Sequence, residues 1–328
     1  MQTEYIDLLK VLYSRQNATV MAGKESRSLA LERGVKQGDP LSSLLFLAVM
    51  EVCFRRLKKR WHRLNLRRTG AYYGMVVDDA LKPLTNLRFA DDVVLIATSR
   101  SDIAKMIADL RREAATFGLK LHTGKTKILI TDRSMRRSPI SCGGTEVQVL
   151  QEGETEKYLG RKLSVDEFRE AELDNRLAMG WAAFFKLKGA LCDRQVPISD
   201  RMKLFESSVA PCVLYACGTW TMTAEMVSKL RSTRRRMLRW MIKPARGKVE
   251  EWPDYIRRAT RMCEDIAFRF GGKDWVELQH HRKCLLAAKV ALATDDRWSK
   301  RLLNWKPWFR CIPRRSIGHQ AKGWIDNF

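Results

Sequence analysis

Residues Leu87 to Ile96 run Leu, Arg, Phe, Ala, Asp, Asp, Val, Val, Leu, Ile: two short strand-forming stretches with adjacent carboxylates at the turn between them. Neighbouring acids repel each other and resist burial, so the pair has two physical outcomes, full solvation or neutralisation by a cation. Oxygen ligands at this density suit Mg2+. Asp is also an ordinary residue of hairpin turns, and this segment taken alone leaves both outcomes open.

Three further segments narrow the choice. Upstream lies Gly34, Val35, Lys36, Gln37, Gly38, Asp39, Pro40, Leu41, Ser42, Ser43; downstream lie Gly118, Leu119, Lys120, Leu121, His122, Thr123, Gly124, Lys125, and then Tyr158, Leu159, Gly160. In this order and at these separations the four segments resemble the palm motifs of reverse transcriptases, specifically those of non-LTR (LINE-type) retrotransposons. The resemblance runs from about Tyr5 to Trp240 and continues more faintly beyond.

That resemblance implies a chemistry and a set of residues. Such polymerases use two Mg2+ ions about 3.5 to 4 Å apart to join a deoxynucleotide to a primer end. By resemblance, Asp91 is a direct metal ligand and Asp92 supports it. Phe89 and Ala90 precede the acids beside the substrate, with Phe89 where many reverse transcriptases carry Tyr. Gln37, Gly38, Asp39 and Pro40 match the loop and helix start beneath the nascent base pair. Lys125 matches a lysine near the triphosphate, as a positive charge or a proton donor to the leaving group. His122 stands where the family usually carries Asn. Tyr158, Leu159 and Gly160 match the primer grip. The implied partners are an RNA template with a DNA primer, or their hybrid, and a deoxynucleoside triphosphate; protein partners stay unspecified. An intron-maturase relative would share the palm motifs but fits the tail less well.

One family feature has no counterpart in these residues. A further catalytic Asp belongs on a palm strand upstream of the helix that Tyr5 to Tyr13 resembles, and Asp7 lies within that helix rather than at a strand end. The expectation is a C-terminal polymerase fragment, inactive alone, with an incomplete metal site and an exposed sheet edge. The alternative is a non-catalytic, basic RNA/DNA-binding protein derived from a retroelement.

Composition bears on that alternative. The chain has 61 Lys and Arg against 37 Asp and Glu, for a net charge of +24, an excess that favours polyanions through counterion release. No stretch approaches a membrane span, and the N-terminus lacks a basic start before an apolar run, so the expected location is intracellular, nuclear if the protein is expressed. The eight cysteines form no CxxC pair and read as free thiols; Cys263, His280, His281 and Cys284 fit no zinc spacing.

The fold class expected is α+β: a partial polymerase palm over 1–164, with a small antiparallel sheet and helices, then a helical thumb over 165–246 and a basic, Trp-rich helical region over 247–328. Asp39 caps a helix that has Pro40 at its first position and buries Leu41, Leu44, Leu45, Ala48, Val52 and Leu57, then ends in a basic run from Arg55 to Arg68. Strands are expected over Tyr72–Val77, Leu84–Phe89, Val93–Ala97, Lys127–Thr131 and Val147–Leu150, and Asp78 with Asp79 reads as a turn. Ser101 opens a helix that Gly118 closes. Helices follow over Phe168–Gly189, Ile198–Tyr215, kinked by Pro211, and Thr223–Ile242. The last has Met226, Leu230, Met237 and Met241 inward and Arg231, Arg234, Arg235 and Arg239 outward for nucleic acid. In the tail, Trp252, Trp275, Trp298, Trp305, Trp308 and Trp324 stand among basic residues; such mixing can stack on bases, although Trp at helical spacing is more often core.

Overall fold

The computed structural model describes residues 3–14, 16–23, 25–31, 34–36, 38–67, 73–77, 83–136, 139–164 and 168–303. Gln37, Tyr72, Asp78, Asp79, Trp305, Trp308 and Trp324 lie outside them, and so does what the sequence suggests for each. The architecture is α+β, and the chain forms two compact units, 1–75 with 82–121, and 76–81 with 122–328.

The first unit begins with helix α1 (Thr3–Tyr13) and an antiparallel hairpin of β1 (Asn17–Ala22) and β2 (Glu25–Ala30). Helix α2 (Pro40–Asn65) starts where Asp39 accepts the Leu41 amide at 3.0 Å, with Pro40 at the first position, where a missing N–H costs no hydrogen bond. Strands β3 (Asn86–Phe89) and β4 (Asp92–Leu95) form a hairpin, and α3 (Arg100–Ala115) follows. Ser99, not Ser101, caps α3: its hydroxyl accepts the Asp102 amide at 3.1 Å and donates to the Asp102 carboxylate at 2.8 Å.

The buried face of α2 differs from the expected one. Met50, Cys53, Phe54, Leu57 and Trp61 pack with Met106 and Leu110 of α3 and with partly buried Val93 and Leu95 of β4, whereas Leu44 is 64% exposed and Val52 also faces solvent. The helix carries two apolar stripes, and only the C-terminal one meets a partner among the described residues. Part of the basic run is likewise engaged by α3, with Arg56 on Glu113 at 3.1 Å and Arg60 on Asp109 at 3.4 Å. Beyond α2, Asn65 holds the Tyr73 backbone at both its N–H and its C=O, and Met75 pairs only with Leu84, as an isolated bridge rather than a strand.

The second unit opens with a three-stranded sheet, β5 (Lys127–Ile128), β6 (Ile140–Ser141) and β7 (Glu146–Val149), in the order β5-β7-β6, and a hairpin of β8 (Glu156–Tyr158) and β9 (Arg161–Leu163). Helices follow: α4 (Phe168–Lys186), α5 (Lys188–Leu191), α6 (Ile198–Leu204), α7 (Ala210–Val213), α8 (Ala224–Ile242), α9 (Trp252–Arg269), α10 (Trp275–Ala291) and α11 (Trp298–Leu303). Between α6 and α7 the helix widens into a π turn over Phe205–Val209. Pro211 explains it, since a proline donates no N–H and its ring crowds the carbonyl four residues back. Gly180 of α4 sits against Val213 of α7, where a Cβ would collide with the valine.

Elements change from strands to helices between β9 and α4, but the units divide earlier, after Leu121. Nor does packing break near residue 247. Cys263 and Ala267 of α9 and Trp275 of α10 share one core with Leu230, Met237 and Met241 of α8, because α9 lies along α8. Among the described residues no helix is long and apolar enough to cross a membrane.

Candidate active site and nucleic-acid interface

In the first unit, Phe89 pairs with Asp92 across the β3–β4 hairpin, which leaves Ala90 and Asp91 as its two-residue turn. Ala90 has φ +53°, the sign that tight hairpin turns demand and that a residue with a Cβ adopts only at a cost. Alternation along the strands turns Arg88, Val93 and Leu95 inward and sets Leu87, Phe89, Asp92 and Val94 on the opposite face. Arg88 fastens the hairpin to α2. Its guanidinium reaches Glu51 at 2.7 Å and lies 4.8 Å from the Phe54 ring centroid, and its hydrogen bond holds the Glu51 carboxyl below the usual carboxylate range.

Asp91 and Asp92 themselves are exposed, and no ion pair or hydrogen bond engages either side chain among the described residues. Adjacent carboxylates at a strained turn, with no cation of the protein beside them, make a donor pair suited to a hard divalent ion. Among the described residues no three Asp, Glu, His or Cys stand together as metal ligands.

At the start of α2, Gly38 has φ +90° and an open space where a Cβ would stand, so glycine is needed there for backbone conformation. Asp39 and Pro40 have structural roles as cap and first helical residue. The Asp39 carboxylate also accepts from Ser42 at 3.2 Å.

The second unit carries the other two motifs. Lys125 ends a short 3-10 turn, Thr123–Lys125, with its side chain exposed. The His122 ring nitrogen Nδ1 accepts the Lys125 backbone N–H at 3.2 Å, so imidazole serves here as the capping acceptor that an Asn amide oxygen can also provide.

Tyr158 pairs with Arg161 across β8–β9, leaving Leu159 (φ +48°) and Gly160 (φ +76°) as the turn. Positive φ at both positions is the type I′ pattern, which a leucine enters only under strain. The turn is braced from behind. Tyr215 donates its hydroxyl to the Leu159 carbonyl at 3.1 Å, Arg176 donates to the Gly160 carbonyl, and the Arg176 guanidinium lies 4.6 Å from the Tyr215 ring centroid. Glu172, 1% exposed, accepts from Arg176 at 2.8 Å, from the Lys162 amide at 2.8 Å and from Arg161 at 3.4 Å. Sequence reasoning missed Glu172, Arg176 and Tyr215; the only signal for them was the i,i+4 acid–base spacing of the first two on α4.

The arginines of α8 divide. Arg234 is buried at 6% exposure, with its Nε unpaired. Arg235 binds Glu264 at 2.8 Å and Arg239 binds Thr260 at 2.9 Å, both across to α9. Of the four expected to meet nucleic acid, Arg231 alone is fully turned to solvent; Arg236, outside that set, is exposed as well. A further basic surface lies on α9, where Arg257, Arg258, Arg261 and Arg269 line a shallow groove with Asp254 and Asp265. Arg258 is committed to Glu250, whose carboxyl its hydrogen bond holds down at about 2. In the tail, Trp275 is core and Trp252 is exposed. Burial pushes the Cys263 thiol up to about 11, away from the thiolate a metal would need, and Cys284 is exposed with His280 3.7 Å away.

Comparison with known proteins bears on all of these motifs. Residues 1–163 match the family model described as reverse transcriptase (RNA-dependent DNA polymerase). A putative uncharacterized transposon-derived protein of Caenorhabditis elegans is 29% identical over 248 residues, covering 74% of this chain and 84% of its own length. A retrovirus-related Pol polyprotein from the type-1 retrotransposable element R2 of Nasonia vitripennis is 32% identical over 139 residues, 39% of this chain and 12% of the polyprotein. The corresponding polyprotein from the type-2 element R2DM of Drosophila melanogaster is 30% identical over 145 residues, 42% of this chain and 12% of its own length.

Proposed function

Residues 1–163 of this chain belong to the reverse transcriptases of non-LTR retrotransposons, and from that premise we propose that the protein supplies part of the palm, and the helical region after it, of an RNA-directed DNA polymerase. The observation that carries this reading is the Ala90–Asp91 turn: two solvent-facing carboxylates without a protein cation, on a hairpin that Arg88 anchors firmly to α2. Solvated Asp is also ordinary in hairpin turns, so the pair points to metal only together with the ordered palm motifs around it.

In this reading Asp91 and Asp92 hold divalent metal, Mg2+, together with a carboxylate from outside these 328 residues. Bound divalent ions lower the pKa of a primer hydroxyl and neutralise charge on the triphosphate and the leaving pyrophosphate. Gln37, Gly38, Asp39 and Pro40, with Phe89 and Ala90, shape the floor under the incoming base. Lys125 brings its exposed ammonium to the triphosphate as counter-charge or proton donor. Tyr158, Leu159 and Gly160 position the primer end, and the strained, braced turn is what gives them a fixed place. Template and primer run over the basic helices, and the nucleus is the compartment where such a protein meets its DNA.

A polypeptide of these 328 residues alone is proposed to bind nucleic acid without extending a primer. Two measurements test this: primer extension on an RNA template with Mg2+ or Mn2+, and hybrid binding across a salt series. We expect no extension, and an affinity that falls by roughly a decade or more between low and physiological salt. Extension that vanishes in Asp91→Ala would overturn the need for an outside acid. Salt-independent binding, or none at low salt, would remove the basic helices from the account.

The alternative, a binding protein that does no chemistry, draws on Arg231, Arg236, Arg261 and Arg269, which face outward from α8 and α9 without needing a completed palm. Restoring the missing carboxylate distinguishes the two readings.

A further inference from the structure

Helices α4 and α8 run side by side in parallel, in a register that three contacts fix: Asp174 with Lys229, Trp181 with Arg236, and Phe185 with Trp240, each pair 55 positions apart. At the C-terminal end of this pair three aromatic rings gather. Trp181 stacks on Phe185 at 5.5 Å and 25°, Phe185 meets Trp240 edge-on at 5.6 Å, and Trp181 meets Trp240 edge-on at 6.2 Å. Fully buried Phe184 supports the group from below, 5.6 Å from Trp181 and 6.0 Å from Phe185.

Such a cluster would pass for the rim of the core were it not so exposed. Phe185 is 48% and Trp240 40% exposed, and Ala178, Ala182 and Ser232, within a few turns of them on the same helices, are small and exposed as well. Cations frame it. The Arg236 guanidinium lies 5.6 Å from the Trp181 ring centroid, the Lys188 ammonium lies 5.6 Å from that of Trp240, and Lys186 is exposed beside them. Neither Asn175 to Cys192 nor Met226 to Val249 contains a single carboxylate.

We propose that this cluster is a stacking platform for the unpaired bases of a single-stranded nucleic acid, with Phe185 and Trp240 taking base faces and Lys186, Lys188 and Arg236 the flanking phosphates. Aromatic faces set among positive charges fit a chain that alternates flat bases with phosphates. A duplex hides its base faces in its own stack. An apolar protein partner would leave the cations desolvated and unpaired. The proposal rests on the nucleic-acid-binding reading above and adds to it a site and a preference for unpaired strand.

The test uses the full chain with a labelled oligouridine and a blunt duplex of the same length, each titrated over a range of salt. Phe185→Ala is expected to weaken oligouridine binding by about tenfold or more while duplex affinity moves less than twofold. Its salt dependence is expected to stay unchanged, because no charge is lost, and Phe185→Trp is expected to restore affinity. Lys188→Gln with Arg236→Gln is expected instead to flatten the single-strand salt slope by about 0.7 per charge. Photocrosslinks from 5-iodouracil placed in the oligonucleotide are expected at Phe185 or Trp240. If wild-type chain binds oligouridine but Phe185→Ala and Trp240→Leu bind it equally well, with crosslinks elsewhere, the platform is wrong and the nucleic-acid reading stands. Equal losses on both ligands, or a change in oligomeric state in their place, would also overturn it. If wild-type chain binds neither ligand at low salt, the nucleic-acid reading fails first and the platform falls with it.

Discussion

The two tight turns at Ala90–Asp91 and Leu159–Gly160, one in each compact unit, have the same length and place a residue with a Cβ at positive φ, yet their surroundings are opposite. Behind Leu159–Gly160 stand Tyr215, Arg176 and buried Glu172, which hydrogen-bond the Leu159 and Gly160 carbonyls and the Lys162 amide and tie to one another. Around Ala90–Asp91 the anchoring stops one residue short, at Arg88, and the acids face solvent. Hydrogen bonds built into the protein can hold a fixed backbone, so the second turn arrives shaped. On the proposed reading, the first turn is left open because carboxylates that hold a metal ion must stay free of protein partners.

That contrast breaks most sharply at Glu172. Glu172→Ala leaves the buried charge of Arg176 without its carboxylate, and the second unit is expected to lose about 3–5 kcal/mol in denaturant unfolding. Asp91→Ala and Asp92→Ala remove exposed acids without partners and are expected to stay within about 0.5 kcal/mol of wild type. A loss below about 1 kcal/mol for Glu172→Ala, or a large one for Asp91→Ala, would reverse the assignment of braced and open turns.

A smaller effect is expected from Tyr215→Phe, which deletes the single hydrogen bond to the Leu159 carbonyl and keeps the ring under Arg176. About 1 kcal/mol is the expected loss, with faster amide exchange confined to 158–161. Exchange that speeds up throughout the unit would show that the tyrosine supports the core and not the turn. Smaller still are the gains from relieving strain: Leu159→Asn and Ala90→Gly are each expected to stabilise by less than about 1 kcal/mol. If only one gains, the two backbones are not equivalent as their φ angles imply.

The last effect is one of pH and belongs to the braced unit alone. Burial raises the Glu206 carboxyl above its ordinary 4.5, against the opposing pull of the Lys273 amide at 3.2 Å and the charge of Arg234. Its neutral form therefore favours the folded state. The contribution is complete below about 4.5 and is lost as pH rises through the raised folded value. Glu206→Gln is expected to flatten the stability–pH curve across that window, and an unchanged curve would mean that the carboxyl is solvated.

Much of this was legible in the sequence where one pattern serves one partner. The β3–β4 hairpin shows its period-two alternation, Asp39 with Pro40 announces α2, and the methionines of α8 mark its inner face. Where two patterns overlap, the sequence is ambiguous. The stripe through Leu44, Ala48 and Val52 is as apolar as the one through Met50, Phe54, Leu57 and Trp61, and helical period alone does not say which meets a neighbour. Arg234 shows a subtler case. It stands four residues after Leu230 and three before Met237, on the same inner stripe, but its charge suggested the surface. The brace at Leu159–Gly160 was out of reach because Tyr215 lies 56 positions from Leu159, a distance no local pattern spans.

The account's central claim is that the open turn is the metal-binding element of a palm completed by an acid from beyond these residues. Primer extension tests it most directly, with this chain fused at Met1 to an upstream segment that carries the fingers and the first palm Asp. The account predicts template-dependent extension by the fusion and none by the 328 residues alone, with Asp91→Ala abolishing it and Asp78→Ala or Asp79→Ala leaving it nearly intact. Extension by the 328 residues alone, or a fusion indifferent to Asp91→Ala, would contradict it.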